Sequence, residues 1–151
     1  MPMQPVSTQN RLTVLLADDH EGWHRTVQGL LEPQGVRTVS ARTGREALHL
    51  LESSTIHLAV LDYQMPQLGG LQVIKLLRER HHTDNKVPPA ILLAQQLTNH
   101  LLHEALGMHV FSVLSKPVDF NILLDAMARV LKRYHESKWP ENTTDTEFTG
   151  N

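Results

Sequence analysis

The chain has 151 residues, of which 40% are hydrophobic, and it contains no cysteine. That length suffices for one domain with its own core, and the lack of cysteine excludes disulfides and thiolate metal sites. The formal net charge is -2, from 14 basic and 16 acidic residues, so the basic stripe that nucleic-acid binding requires is missing.

Short apolar runs alternate along the chain with segments of helical spacing. The first helix should bury a stripe of Trp23, Val27, Leu30 and Leu31, and the last should bury apolar residues from Phe120 to Tyr134. The predicted strands are residues 12–17, 37–41, 57–62, 90–94 and 110–114, and the helices follow them near residues 23–31, 43–51, 71–77, 99–106 and 120–134.

Five strands that alternate with five helices predict an α/β fold, in which helices cover both faces of a doubly wound, five-stranded parallel sheet. The strand order that we expect is 2-1-3-4-5. We assign residues 1–10 to a flexible leader, 11–135 to one domain and 136–151 to a polar, disordered tail. No apolar run approaches 18 residues and no signal-peptide core is visible, so we expect a cytoplasmic protein without membrane insertion.

Charged side chains follow the first, third and fifth predicted strands. These residues are Asp18 and Asp19, then Asp62, and finally Lys116. Because the carboxyl ends of neighbouring parallel strands meet at one edge of the sheet, we expect all four side chains to share one crevice. Three crowded carboxylates repel one another, which implies a hard cation such as Mg²⁺ between them. A phosphoryl group on Asp62 would then have Mg²⁺ and the Lys116 ammonium to neutralise its oxygens.

Histidine spacing offers a competing interpretation. His20-Glu21-x-x-His24 fits the zinc-protease pattern, but Gly22 weakens the required helix and a third ligand is missing. We therefore interpret His20 and His24 as surface residues of the first helix. The same interpretation applies to His100 and His103, whose spacing is also compatible with a metal.

Three segments, LLADDH, LDYQMPQLGG and LSKP, occur in order, and with them residues 11–135 resemble a response-regulator receiver domain of two-component signalling. The resemblance implies a flavodoxin-like arrangement, in which Asp62 is the phosphoacceptor. It further implies that Asp19 ligates Mg²⁺ directly and Asp18 through water, with the Gln64 carbonyl as a further ligand. The remaining implied positions are Lys116, Ala94 and Gln95 for phosphoryl binding, Gln64 and Gln96 for tuning hydrolysis, and a cis Lys116-Pro117 bond.

Two positions depart from the family's pattern. Ala94 stands where the family usually has Thr or Ser, so a hydroxyl that would bind a phosphoryl oxygen is missing. Val113 stands where the family has its switch aromatic, and it is too small to swing between buried and exposed rotamers with much effect. Phosphorylation should survive these changes, whereas the usual coupling to the rest of the domain is in doubt.

The resemblance implies a single-domain switch that takes its phosphoryl group from a histidine kinase or a phosphotransfer protein. It would relay the signal through the fourth helix, fifth strand and fifth helix, where Leu101, His103 and Phe111 are candidate contacts with an unknown partner or a second copy of the chain. We expect no enzymatic activity beyond slow self-dephosphorylation. A receiver domain excised from a hybrid kinase would have the same sequence features.

Two alternatives stay open. A pseudo-receiver would bind partners without phosphorylation. An aspartyl-phosphate phosphatase would be expected to carry D-x-D after the third strand, but this chain has Asp62-Tyr63-Gln64.

Overall fold

The computed structural model describes residues 11–81 and 87–135, so the predicted leader at 1–10 and tail at 136–151 lie outside the described residues. Its sheet has five parallel strands in the order 2-1-3-4-5, which confirms the predicted fold class and strand order. The strands are β1 (Thr13–Ala17), β2 (Arg37–Ala41), β3 (Leu58–Asp62), β4 (Ala90–Ala94) and β5 (Ser112–Ser115).

Five α-helices connect and follow these strands within the described residues. They are α1 (Glu21–Leu31), α2 (Gly44–Ser53), α3 (Gly70–Arg80), α4 (Asn99–Gly107) and α5 (Phe120–His135), and a 3-10 turn at Glu32–Gln34 follows α1. Threonine side chains cap the N-termini of α2 and α4. The Thr43 hydroxyl accepts from the Glu46 amide, and the Thr98 hydroxyl accepts from the Leu101 amide. None of these helices is long and apolar enough to span a bilayer.

Two hydrophobic layers enclose the sheet, because successive side chains of each strand point to opposite faces. Leu15, Leu61 and Leu92 face the layer formed with α2, α3 and α4. Leu16 and Val60 face the opposite layer, which α1 and α5 complete. The three central strands, β1, β3 and β4, are buried on both faces, as their continuous apolar runs predicted, whereas the edge strands β2 and β5 are only partly buried.

Two predicted core positions are wrong. Leu30 is 38% exposed, and His24 takes its place on the buried face of α1 with Val27 and Leu31. Tyr134, in the last turn of α5, is 53% exposed. An apolar stripe read from helical spacing has uncertain edges, and amphipathic tyrosine is tolerated at the boundary with water.

The register of the sheet places the carboxyl ends of its strands at one edge. Leu16 pairs with Val60 across β1 and β3, and Ala94 pairs with Ser115 across β4 and β5. Residues that follow β1, β3 and β5 are therefore brought together although the chain separates them widely.

Candidate functional site

An ammonium and two buried carboxylates meet where β1, β3 and β5 end. Lys116 Nζ lies 3.0 Å from Asp62 Oδ2 and 3.3 Å from Asp18 Oδ2, across separations of 54 and 98 residues. The backbone N–H of Lys116 donates to the Ala94 carbonyl at 2.8 Å, which extends the β4–β5 pairing to the site. This hydrogen bond to β4 thus fixes the position of the Lys116 backbone.

Asp18 is held through both its backbone and its side chain. Its N–H donates to the Ala41 carbonyl at 3.1 Å, and its Oδ1 accepts from the backbone N–H of His20 at 2.9 Å. The carbonyl oxygen of Asp18 lies 2.6 Å from Nε2 of His24. Asp18 is therefore a fixed, buried part of the site.

Asp62 is the last residue of β3, and it is only 4% exposed. Its Oδ1 accepts from the Gln64 amide at 3.2 Å, which leaves Oδ2 facing Lys116. Burial raises the pKa of the Asp62 carboxyl; Lys116 opposes this rise, and the negative charge of Asp18 adds to it. The site therefore holds a carboxylate at some electrostatic cost, which a bound cation would reduce.

Lys116 keeps its charge in this setting. Burial by itself would lower the pKa of the Lys116 ammonium, but the hydrogen bond to Asp62 and the charge of Asp18 outweigh it, and the pKa is raised. The lysine is therefore a permanent positive charge beside Asp62 at physiological pH.

A cleft of about 360 Å³ opens in front of these groups. Its lining is Asp19, His20, Asp62, Tyr63, Gln64, Met65, Pro66, Ala94, Gln95 and Lys116. The cleft thus gathers Asp19, Gln64, Ala94 and Gln95 beside the predicted phosphoacceptor. Among the described residues, Gln96 does not line the cleft, and its side chain is exposed.

The donor set suits a hard divalent cation. Ligand atoms of Asp18, Asp19 and His20 lie within 4.8 Å of one another, and the Asp62 carboxylate lines the same cleft as Asp19. Carboxylate and carbonyl oxygens are the ligands that Mg²⁺ prefers. Burial is the main cause of the raised pKa of Asp62, and the negative charge of Asp18 adds to it; a bound cation would offset both effects.

His20 lies at the rim of the cleft, at the N-cap of α1. Its Nδ1 is 2.9 Å from Asp18 Oδ1 and 3.1 Å from Asp19 Oδ1. The hydrogen bond to Asp18 raises the pKa of the His20 ring. His20 is exposed, as the sequence predicted.

The prediction that His24 lies on the surface is wrong. Its ring is 1% exposed, with Nε2 against the Asp18 carbonyl and Nδ1 2.9 Å from Ser40 Oγ. Both ring nitrogens thus have protein partners, which removes His24 as a zinc ligand and with it the H-E-x-x-H interpretation. Its spacing of three from Val27 and seven from Leu31 was the signal in the sequence, but histidine is rarely assigned to a core.

The predicted switch positions lie in the layer of α2, α3 and α4. Ala94 is buried at the end of β4, and Val113 is partly buried against the same layer. Of the predicted output contacts, Leu101 is wrong as a surface residue, because it is 2% exposed and belongs to this core. His103 is exposed and Phe111 half-buried. The Lys116-Pro117 bond is cis, as expected.

Comparison with known proteins gives a consistent match. The family model for the response regulator receiver domain matches residues 14–128. The chain is 33% identical over 129 residues to the CAI-1 autoinducer sensor kinase/phosphatase CqsS of Vibrio cholerae, covering 85% of this chain and 18% of that protein. It is 32% identical over 131 residues to the transcriptional regulatory protein CpxR of Escherichia coli, covering 85% and 53% respectively.

A solved structure shows the same fold. The receiver domain of the Francisella response regulator 1452 superposes with a TM-score of 0.73 at 28% identity, covering 82% of this chain and 98% of that one. By contrast, the chain spans only 18% and 53% of the two sequence relatives, so the activities of those whole proteins are not carried over with the match.

Proposed function

Since the chain belongs to the response regulator receiver family of two-component signalling, we propose that it accepts a phosphoryl group on Asp62 and relays the signal by binding a protein. The observation that carries this proposal is the Asp62 carboxylate at the wall of an open cleft, with the Lys116 ammonium 3.0 Å away. That arrangement supplies a nucleophile and a fixed positive charge at one point.

The chemistry follows from these positions. A carboxylate oxygen of Asp62 attacks the phosphorus of the donor, a P–O bond to Asp62 forms, and the donor's bond to phosphorus breaks with its electron pair leaving on the donor. Lys116 neutralises charge on the transferred group, and the Ala94 and Gln95 region borders the space it would fill.

Asp18, Asp19, Asp62 and the Gln64 carbonyl are the groups that would hold Mg²⁺, with Asp19 a direct ligand and Asp18 acting through water. When bound, Mg²⁺ would neutralise the negative charge that phosphoryl transfer concentrates at the carboxylates. The role that remains for the chain's own residues is to fix the positions of the acids and to keep Lys116 charged.

The donor that we propose is a histidine kinase or a phosphotransfer protein, met in the cytoplasm. The match to CqsS, whose name describes a sensor kinase/phosphatase, supports a donor of this class. Gln64 and Gln96 would set the rate of slow self-dephosphorylation. The output would be a surface on α4, β5 and α5 that includes His103 and Phe111, used by a downstream protein or a second copy of the chain.

Incubation of the purified chain with Mg²⁺ and acetyl phosphate tests the proposal. Wild type should gain one phosphoryl group by intact mass, whereas Asp62→Asn should gain none. Asp125→Asn is the matched control, because Asp125 is an exposed aspartate on α5 that pairs with Arg129. Labelling of Asp62→Asn at the wild-type level would overturn the assignment of the phosphoacceptor.

Ala94 favours one alternative, the pseudo-receiver, because the site lacks a hydroxyl that would bind a phosphoryl oxygen. An unlabelled wild type, with Mg²⁺ present, would support that alternative. The phosphatase alternative predicts multiple turnover of external phosphoesters, and we expect none, since Gln64 occupies the position of the second acid.

A further inference from the structure

A buried histidine links the acid cluster to the neighbouring strand. Nε2 of His24 lies 2.6 Å from the Asp18 carbonyl oxygen, and Nδ1 lies 2.9 Å from Ser40 Oγ on β2. Gln28, one turn further along α1, donates to the same Ser40 hydroxyl at 3.3 Å. The link therefore joins α1 and β2 to the first residue after β1.

The chemistry of the Asp18 carbonyl determines the protonation of one ring nitrogen of His24. A carbonyl oxygen can only accept, so Nε2 of His24 carries the hydrogen that bonds to Asp18. The Trp23 and His24 rings also pack in a T-shaped arrangement, with centroids 5.4 Å apart and planes at 84°. A buried imidazole held on both nitrogens and along one side has little freedom to rotate.

The Asp18 carbonyl belongs to the peptide group that leads into Asp19. The N–H of Asp18 donates to the Ala41 carbonyl and its Oδ1 accepts from the amide of His20, while His24 binds the other backbone polar group of Asp18, the carbonyl. The Asp19 carboxylate is 43% exposed at the cleft. Its direction thus depends on the orientation of the preceding peptide and on the His20 ring, whose Nδ1 lies 3.1 Å from Asp19 Oδ1, rather than on burial of its own side chain.

We propose that His24 is a positioning residue that orients the Asp18-Asp19 peptide, and through it the Asp19 carboxylate, for binding a divalent cation. This inference rests on the proposed function, in which Asp18 and Asp19 hold Mg²⁺. Partners behind a metal ligand typically change metal affinity by roughly 10- to 100-fold when they are removed.

The test is the Mg²⁺ dissociation constant of the full chain, measured by calorimetric titration at constant pH. His24→Phe keeps the ring volume and removes both hydrogen bonds, and its dissociation constant should rise about tenfold or more. His24→Gln keeps an N–H that can reach the Asp18 carbonyl, so it should recover most of the affinity. Thermal unfolding of each variant establishes that it is folded.

His57→Phe is the matched control. His57 is also buried and accepts from the Thr13 amide at 3.0 Å, but it lies at the opposite, amino-terminal edge of the sheet. We expect a loss of stability without a change in Mg²⁺ affinity beyond twofold. If His24 only stabilised the fold, His24→Phe would behave in the same way, and that result would overturn the proposal.

Ser40→Ala carries the test if His24→Phe does not fold. It leaves the imidazole in place and removes its second partner, and a rise of at least threefold in the dissociation constant supports the proposal, whereas an unchanged constant overturns it. Failure of the proposed function looks different, because wild type itself would then remain unlabelled by acetyl phosphate. A labelled wild type with an unaffected His24→Phe variant rejects only the role of His24.

Discussion

Lys116 lies between the carboxylates of Asp18 and Asp62, and Asp62 contributes to the pH dependence of the stability of the metal-free protein. Because the pKa of Asp62 is raised above its ordinary value of 3.8, the folded state holds this proton more tightly than the unfolded state. The resulting stabilisation is fully present below pH 3.8 and is lost as the pH rises through the pKa of the folded state. At neutral pH the lysine offsets part of that loss.

Lys116→Met should lower the free energy of unfolding by about 2–4 kcal/mol at pH 7 without metal, because it leaves two buried carboxylates uncompensated. The deficit should shrink as the pH falls and Asp62 is protonated, because the pKa of Asp62 is raised. Urea denaturation at pH 7 and pH 4 measures both effects. Lys75→Met, on the exposed side of α3, is the control, and equal losses in the two variants would contradict this electrostatic account.

At the scale of elements, the start of α3 presses against the end of β3 and so supports Asp62 from behind. A Cβ at Gly70 would lie 2.7 Å from the Asp62 carbonyl oxygen and 2.8 Å from Leu92 Cδ2. The amide of Gly70 also donates to the Tyr63 carbonyl at 3.1 Å. A side chain here would have to displace the backbone that carries Asp62, the proposed phosphoacceptor.

Gly70→Ala should therefore destabilise the domain by about 1–3 kcal/mol, and it should slow labelling of Asp62. Gly29→Ala offers the contrast, since a Cβ at that position in α1 meets no atom within 4 Å. It should stabilise the protein by about 0.5–1 kcal/mol. Thermal unfolding of both variants measures these changes in stability. An unchanged stability of Gly70→Ala would show that α3 does not constrain the end of β3.

At the scale of the whole molecule, phosphorylation of Asp62 could change the structure at a distance from the cleft. Ala94 and Val113 pack in the layer with α2, α3 and α4, and neither offers a group that could move toward a phosphoryl oxygen. We therefore expect phosphorylation to change α4 and β5 only slightly. A downstream partner that binds the proposed surface on α4, β5 and α5 would then respond only weakly to phosphorylation.

Ala94→Thr should enlarge the response by supplying the missing hydroxyl. Hydrogen exchange of α4 and β5, compared with and without acetyl phosphate, should show a greater phosphorylation-dependent difference in this variant than in wild type. Ala94→Val adds a similar volume without the hydroxyl and serves as the control. An equal response in the Thr and Val variants would assign the effect to packing.

The sequence predicted the strand order and the meeting of distant charges because both depend on local patterns and a general rule. Buried strands read as apolar runs, and the carboxyl ends of parallel strands share one edge. The burial of Leu101 could not be read in this way, and helical spacing was the only sign in the sequence that His24 is buried. Leu101 depends on how α4 rolls on the sheet, and His24 depends on two hydrogen-bond partners that only the tertiary fold supplies.

The alternation of side chains along β5 determines whether the Lys116 ammonium faces the acids. Neighbouring side chains of β5 face opposite layers, with Val113 on one side and Leu114 on the other. One extra residue inserted before Lys116 would turn its side chain away from Asp62, whereas two would restore the face. Insertions or deletions within β5 should therefore be tolerated only in pairs, whereas the connections can change length by any number of residues without turning Lys116 away.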